Sequence, residues 1–358
     1  MLHLGMSLRP IYGHGNLLDR LGGSLASSRF PQAAVFTGPA GAGKQRVALW
    51  VAQGLLCERG PGAPCDGCRS CRQTAQLSHP DLHWFVPIPR PRAGDAAKQA
   101  DEAAELLGQV MGERRATGLW QRPDGTTGHG LASVRLLHRK AWTTPFVGAR
   151  KVFLLGDAER LIVQESSQEA ANALLKVLEE PPADTTIILT SSDPHALLPT
   201  IRSRLVAVRV GRVSDADVRS FLEREVGEGL SDEALEARVL LAEGCIGTAI
   251  AGDEIGEAGK LARAADALLS AVRKRRRAWL PLALRQQPWA ARGEFTGLLD
   301  ALALQLRTEL ADAAEHGQQI GSRLEALRRI ERTRAAAQGN VNPQLALSVL
   351  SSDLERLL

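Results

Sequence analysis

No stretch of this 358-residue chain approaches the roughly 20 consecutive apolar residues that a membrane helix needs, and no charged segment followed by a long apolar run opens it. The expectation is a cytoplasmic protein with no membrane partner. Charge of one sign is also scarce: 44 basic against 40 acidic residues leave a formal net charge of +4. That excludes nucleic-acid binding by bulk charge, while local patches stay open. Aromatic residues make up 4% of the chain. No basic stripe interleaved with aromatics offers a platform for stacked bases. Trp84, Trp120 and Trp142 stand isolated, and ordinary packing accounts for them. No internal repeat is visible, which excludes a solenoid. Cysteine is sparse outside one cluster: Cys57, Cys65, Cys68 and Cys71 fall close together, and Cys245 stands alone. Without a secretion signal, such clustering points to metal binding rather than disulfides.

What is present is enough apolar sequence, 44% of the chain, to bury two or three cores. Residues 1–211 alternate strand-like runs at 33–37, 151–155, 185–190 and 205–210 with helical patterns, the clearest at 168–179. That alternation predicts a parallel sheet with crossover helices, an α/β domain. Residues 212–255 read as a small helical domain, with N-terminal signals at Ser214 and Ser231. Residues 256–358 are all-α, with Phe295, Leu298, Leu302, Leu306 and Leu310 on one helical face. Residues 88–129 interrupt the first domain: a proline-rich start, a helix over 96–111 and a turn at 122–125 predict a surface insertion.

The run Gly38-Pro39-Ala40-Gly41-Ala42-Gly43-Lys44-Gln45 follows a strand and precedes a helix, as a Walker A phosphate loop does. Gly38, Gly41 and Gly43 let the backbone wrap round phosphates, the next helix points its positive end at them, and Lys44 meets the outer ones. Gln45 stands where Ser or Thr would hold magnesium. The loop therefore fits either a nucleotide site for ATP or a retained scaffold turn. After the strand at 151–155, an active site supplies adjacent acids; here the residues are Gly156-Asp157-Ala158-Glu159. Gly156 takes the metal-organising place, and Glu159 is expected to be displaced toward solvent.

The spacing C-x7-C-x2-C-x2-C brings four thiolates into one loop over 57–71, a set that closes a tetrahedral shell around a structural Zn2+. An iron–sulfur cluster or four free thiols are the alternatives. Cys245 is expected to be a small packed residue.

Several further motifs carry a family resemblance. They are Gly13-His14-Gly15 before the phosphate loop, the four-cysteine module after it, and His79-Pro80-Asp81. Others are Val134-Arg135, the run from Glu169-Ala170-Ala171-Asn172 to Glu180-Pro181, and Asn340-Val341-Asn342-Pro343. With them, the chain from Tyr12 onward, outside 88–129, resembles the delta-prime family of bacterial DNA polymerase III clamp-loader subunits, within the AAA+ class. The resemblance implies an AAA+ domain with a zinc module, a helical lid and a C-terminal helical collar. It implies assembly with delta and gamma/tau subunits, and loading of the beta sliding clamp onto primed DNA. Ser191-Ser192-Asp193-Pro194 matches the sensor 1 stretch. Pro199-Thr200-Ile201-Arg202-Ser203-Arg204-Leu205 resembles the segment whose arginine reaches a neighbour's nucleotide, so Arg204 would be an arginine finger in trans. Gly247 stands where gamma/tau-type motor subunits carry the sensor 2 arginine. A catalytically active gamma/tau-type ATPase is the alternative; Gln45, Gly156 and Gly247 count against it.

Overall fold

The computed structural model describes residues 8–92, 94–117, 127–162, 167–226, 231–251, 255–285, 292–316, 320–337 and 341–358. They fall into two compact units, the first ending at Ile250 and the second starting at Ala251. Among the described residues no helix is long and apolar enough to cross a membrane.

The first unit is built on a five-stranded sheet. Its strands are β1 (Ala33–Thr37), β2 (Leu82–Phe85), β3 (Lys151–Leu155), β4 (Thr185–Ser191) and β5 (Val206–Arg209). All pairings are parallel, in the order β2-β3-β4-β1-β5, with Ala33 opposite Ile187 and Lys151 opposite Thr185. The four expected strands are present to within a residue at each end; β2 is additional. Every residue of β3 and β4 is buried, which is why their centres, Val152 to Leu155 and Ile187 to Leu189, read as apolar runs rather than as alternation. Lys151 is the charged residue among them, and its ammonium donates to Ala141 O at 2.7 Å, to Thr143 O and to Asp184 at 3.4 Å.

Seven helices surround this sheet: α1 (Gly15–Ala26), α2 (Lys44–Leu55), α3 (Arg69–Ala75), α4 (Ala96–Thr117), α5 (Leu131–Ala141), α6 (Ser167–Glu179) and α7 (Pro199–Arg202). Helix α2 buries Val47, Ala48, Val51 and Ala52. The 88–129 segment differs from the expected surface insertion. Helix α4 continues to Thr117, and Ala100, Ala103 and Leu107 join the main core. Ile88 and Gly128 close its base as an antiparallel bridge. Small residues at three- and four-residue spacing allow the close approach that makes this helix part of the domain. Trp120 lies outside the described residues.

Three short helices follow β5: α8 (Asp215–Phe221), α9 (Asp232–Ala242) and α10 (Ile246–Ala251). Ser214 and Asp217 form a reciprocal capping box, and Ser231 caps α9 through Ala234 N at 3.3 Å. Val218, Phe221, Leu222, Val239 and Ala242 form a small core of their own.

The second unit is helical: α11 (Ile255–Arg273), α12 (Leu280–Leu284), α13 (Arg292–Glu315), α14 (Gly321–Ala337) and α15 (Pro343–Leu357). Phe295, Leu298, Leu302 and Leu306 bury as the periodicity predicts, against Val272, Ile330, Leu350 and Leu354. Each fully buried leucine contributes roughly 1.5–3 kcal/mol. Asn342 caps α15 through Leu345 N at 3.2 Å, with Pro343 in the first turn; Asn340 lies outside the described residues.

Candidate functional site

The residues picked out around the phosphate loop meet at the carboxyl ends of β1, β3 and β4, where open α/β sheets place their ligands. Gly43 holds φ 85° and starts α2, a conformation open to residues without a Cβ. Lys44 is 5% exposed. Its ammonium donates to Gly38 O at 3.0 Å, Pro39 O at 2.7 Å and Ser192 Oγ at 2.9 Å. All three donors of the lysine are thus engaged within the protein. Burial lowers its pKa, opposed by Glu159 and Asp157.

The space where the motif would place magnesium is filled by protein. Gln45 Nε2 donates to Asp157 Oδ1 at 3.2 Å. A Cβ added to Gly156 would lie 2.8 Å from Gln45 Oε1 and 2.9 Å from its Cδ and Nε2. The glutamine amide therefore takes the volume that an acid at position 156 would need. Asp157 sits at φ 52° and donates its N–H to Thr190 Oγ1 at 3.2 Å. Glu159 was expected to face solvent; instead it turns inward. Its Oε1 accepts from Ser192 N at 3.2 Å, and its buried Oε2 has no hydrogen-bond partner. Burial and Asp157 raise its pKa. The short 3-10 turn over Ala158–Ile162 redirects the side chain, a change that counting from the strand cannot show.

On the lid side, Gly247 N donates to Gly41 O at 2.8 Å. A Cβ at Gly247 would meet Gly41 Cα at 2.7 Å. The place of a sensor arginine is thus occupied by the backbone of the phosphate loop. Cys245 is a buried core residue, as expected.

His129 carries a role with no sequence signal. It is 1% exposed, its Nε2 donates to Gly156 O at 2.6 Å, and its Nδ1 has no partner. Burial holds it down at about 4. Asp81 stood in a motif without an assigned role: 2% exposed, it accepts the N–H groups of Phe146 at 2.6 Å and Val147 at 2.8 Å. Buried Asp in an exposed-looking His-Pro-Asp motif was the available hint.

The four cysteines come together away from this group. The sulfurs of Cys57, Cys65, Cys68 and Cys71 all lie within 4.8 Å of one another. Thiolates on a tetrahedral zinc at about 2.3 Å need separations a little shorter than this, so the donor set fits with small adjustment. Cys68 N donates to Cys65 Sγ at 3.4 Å and Cys71 N to Cys68 Sγ at 3.3 Å. The first of these brings the Cys65 thiol down to about 6, whereas burial pushes Cys71 up.

Arg204 shares no hydrogen bond with the Lys44 group. It lies just past α7, donates through Nη1 to Thr200 O at 2.9 Å and pairs through Nη2 with Glu179 Oε1 at 2.6 Å. Both side chains are partly exposed, at 35% and 48%.

The family model described as DNA polymerase III, delta subunit, matches residues 13–214. The delta-prime subunit of Pseudomonas aeruginosa DNA polymerase III is 34% identical over 223 residues, covering 62% of this chain and 53% of that protein. The delta-prime subunit of Bacillus subtilis is 28% identical over 181 residues, covering 51% of this chain and 42% of that protein. The tau subunit of Escherichia coli is 28% identical over 246 residues, covering 67% of this chain and 31% of that protein. The chain thus spans about half the length of the delta-prime relatives it matches.

Proposed function

Because the chain belongs to the DNA polymerase III delta-subunit family, whose model matches more than half of it, we propose that it is the delta-prime subunit of a clamp loader. In this reading it assembles in the cytoplasm with delta and gamma/tau subunits, and the complex loads the beta sliding clamp onto primed DNA. It is a stationary partner, not a motor. The observation that carries this is the Gln45 amide seated where a carboxylate at Gly156 would have to stand. A hydrolytic centre needs magnesium ligands at both positions, and here the Gln45 side chain takes the space that an acid at 156 would need.

The cradle of Gly38, Gly41, Gly43 and Lys44 would take ATP phosphates once Lys44 exchanges its bonds to Gly38 O, Pro39 O and Ser192 Oγ for phosphate oxygens, and a bound ATP would then serve as a structural ligand. Arg204 is the residue proposed to act, as a finger toward a neighbouring subunit's phosphate. Its pair with Glu179 is partly exposed and contributes at most about 1 kcal/mol, so exchanging that carboxylate for a phosphate costs little. Zn2+ held by Cys57, Cys65, Cys68 and Cys71 would cross-link the 57–71 loop; a closed shell leaves no position for chemistry.

The test is reconstitution with delta and gamma/tau subunits. The chain alone is expected to hydrolyse no ATP, and Arg204→Ala to lower the DNA-stimulated ATPase of the complex by roughly ten-fold or more, with assembly intact. Turnover by the isolated chain that vanishes in Lys44→Ala would instead make it a gamma/tau-type motor. Unchanged ATPase with Arg204→Ala would remove the finger.

A further inference from the structure

The second unit contains an unbroken basic run, Arg273-Lys274-Arg275-Arg276-Arg277. It forms the turn between α11 and α12, and all five residues are exposed. Three consecutive arginines hold left-handed backbone: Arg275 at φ 58°, Arg276 at 57° and Arg277 at 57°. Residues with a Cβ visit this region singly and seldom in runs. Strain of this kind persists where the surroundings hold it.

The surroundings do hold it. Glu355 on α15 accepts Arg277 N at 3.0 Å with one oxygen and the buried Trp279 indole N–H at 2.9 Å with the other. Arg275 N donates to Val272 O, Ala278 N to Arg275 O and Leu280 N to Arg277 O, closing the turn on both sides. The carboxylate bonds backbone and indole, and it also attracts the Arg275 and Arg277 guanidinium groups. Arg273 is tied to Glu309 on α13 by two contacts of 2.6 and 2.7 Å. Lys274, Arg275 and Arg276 make no side-chain hydrogen bond or close ion pair among the described residues, and Arg275 feels Glu355 through space. The result is a turn closed by hydrogen bonds that presents three cations to solvent.

We propose that this turn is a direct binding site for the phosphodiester backbone of DNA. Guanidinium groups match phosphate oxygens in fork geometry and are weakly hydrated. The exposed side chains of the turn are cationic apart from Ala278, so charge rather than apolar burial drives what binds there. The choice of DNA among polyanions rests on the proposed clamp-loader function; the site itself does not depend on Arg204 or the phosphate loop. It contacts phosphates, so it carries no sequence preference. The small net charge of the whole chain concealed it, since 44 cations and 40 anions nearly cancel.

Fluorescence anisotropy of the full-length chain with a labelled 20-nucleotide single strand, and with the corresponding duplex, tests this across salt concentrations. The wild type is expected to bind with a marked salt dependence. Lys274→Ala, Arg275→Ala and Arg276→Ala together should weaken binding at least ten-fold near 0.1 M salt and reduce the slope of log K against log salt by about two. Arg275→Lys with Arg276→Lys keeps the charge and should keep most of the slope. The two probes distinguish a template strand from duplex as the source of phosphate. Binding and slope unchanged in the triple variant would overturn the proposal. So would loss of the salt slope in the charge-conserving variant, which would mark a folding effect, or loss of poly-glutamate binding with DNA binding intact, which would mark an acidic protein partner. Because the isolated chain is used, failure here leaves the reconstituted ATPase reading of Arg204 untouched.

Discussion

The amide of Gln45 occupies the space in front of Gly156: a Cβ at that glycine would stand 2.8 Å from Gln45 Oε1. Two departures from an ATPase pattern, 111 positions apart in sequence, are therefore one packing event. An acid restored at position 156 alone would meet the Gln45 amide, whereas Ser or Thr restored at position 45 alone would leave that space empty.

Gly156→Ala is accordingly expected to displace Gln45 and break its 3.2 Å bond to Asp157. Gly156 does not hold a positive φ, so the cost comes from the contact. The glutamine end is flexible, which limits that cost to about 1 kcal/mol. Gln45→Ala with Gly156→Ala should recover most of the loss. Denaturant melts of the four proteins give the coupling, expected above ~0.5 kcal/mol; additive effects would refute the shared-space reading.

His129 sets an acid dependence. Burial holds its pKa at about 4, below the ordinary 6.5. A depressed pKa means the unfolded chain binds the proton first as pH falls. Stability from this group is therefore whole above about 6.5 and drains away as pH drops toward 4. The cause is local: Nε2 is committed to Gly156 O, and a second proton on Nδ1 would find no acceptor. His129→Gln, which can still donate to Gly156 O, should show a flatter fall in melting temperature between pH 6.5 and 4. An identical pH profile in the variant would count against it.

Removing metal from the cysteine loop should unfold it first. Purified under reducing conditions, the chain is expected to carry one equivalent of zinc. A strong chelator, or Cys65→Ala, should lower the melting temperature and open residues 57–71 to proteolysis while the sheet stays intact. Elemental analysis far below one equivalent would defeat the assignment.

The left-handed arginines trade stability for charge. At φ 57–58° each costs roughly 1–2 kcal/mol relative to an unstrained position. Arg276→Gly should therefore stabilise the chain by about 1 kcal/mol, after allowing for glycine's greater entropy loss on folding, while weakening DNA binding. A lower melting temperature for Arg276→Gly would show that the side chain supports the turn.

Much of the first unit was legible because its cues are local. Buried parallel strands announce themselves as apolar runs, and β1, β3 and β4 emerged almost to the residue. Strand β2 did not: Leu82-His83-Trp84-Phe85 is short and mixed. Its His83 and Phe85 rings pack against Phe153, contacts that exist once β3 lies alongside. Helix α4 was underestimated for a related reason. Alanine-rich spacing says little about burial until a partner surface is present.

The amino-acid sequence by itself determined the phosphate-loop pattern, the cysteine spacing and the absence of Ser or Thr at Gln45 and of an acid at Gly156, since each depends on residue type and separation along the chain. Only the tertiary structure decided how those losses fit together. It seated the Gln45 amide against Gly156, turned Glu159 inward onto Ser192, and laid Gly247 on Gly41. The physical reason is volume. A missing side chain is visible in a sequence, but what fills its space is chosen by packing between segments far apart in the chain.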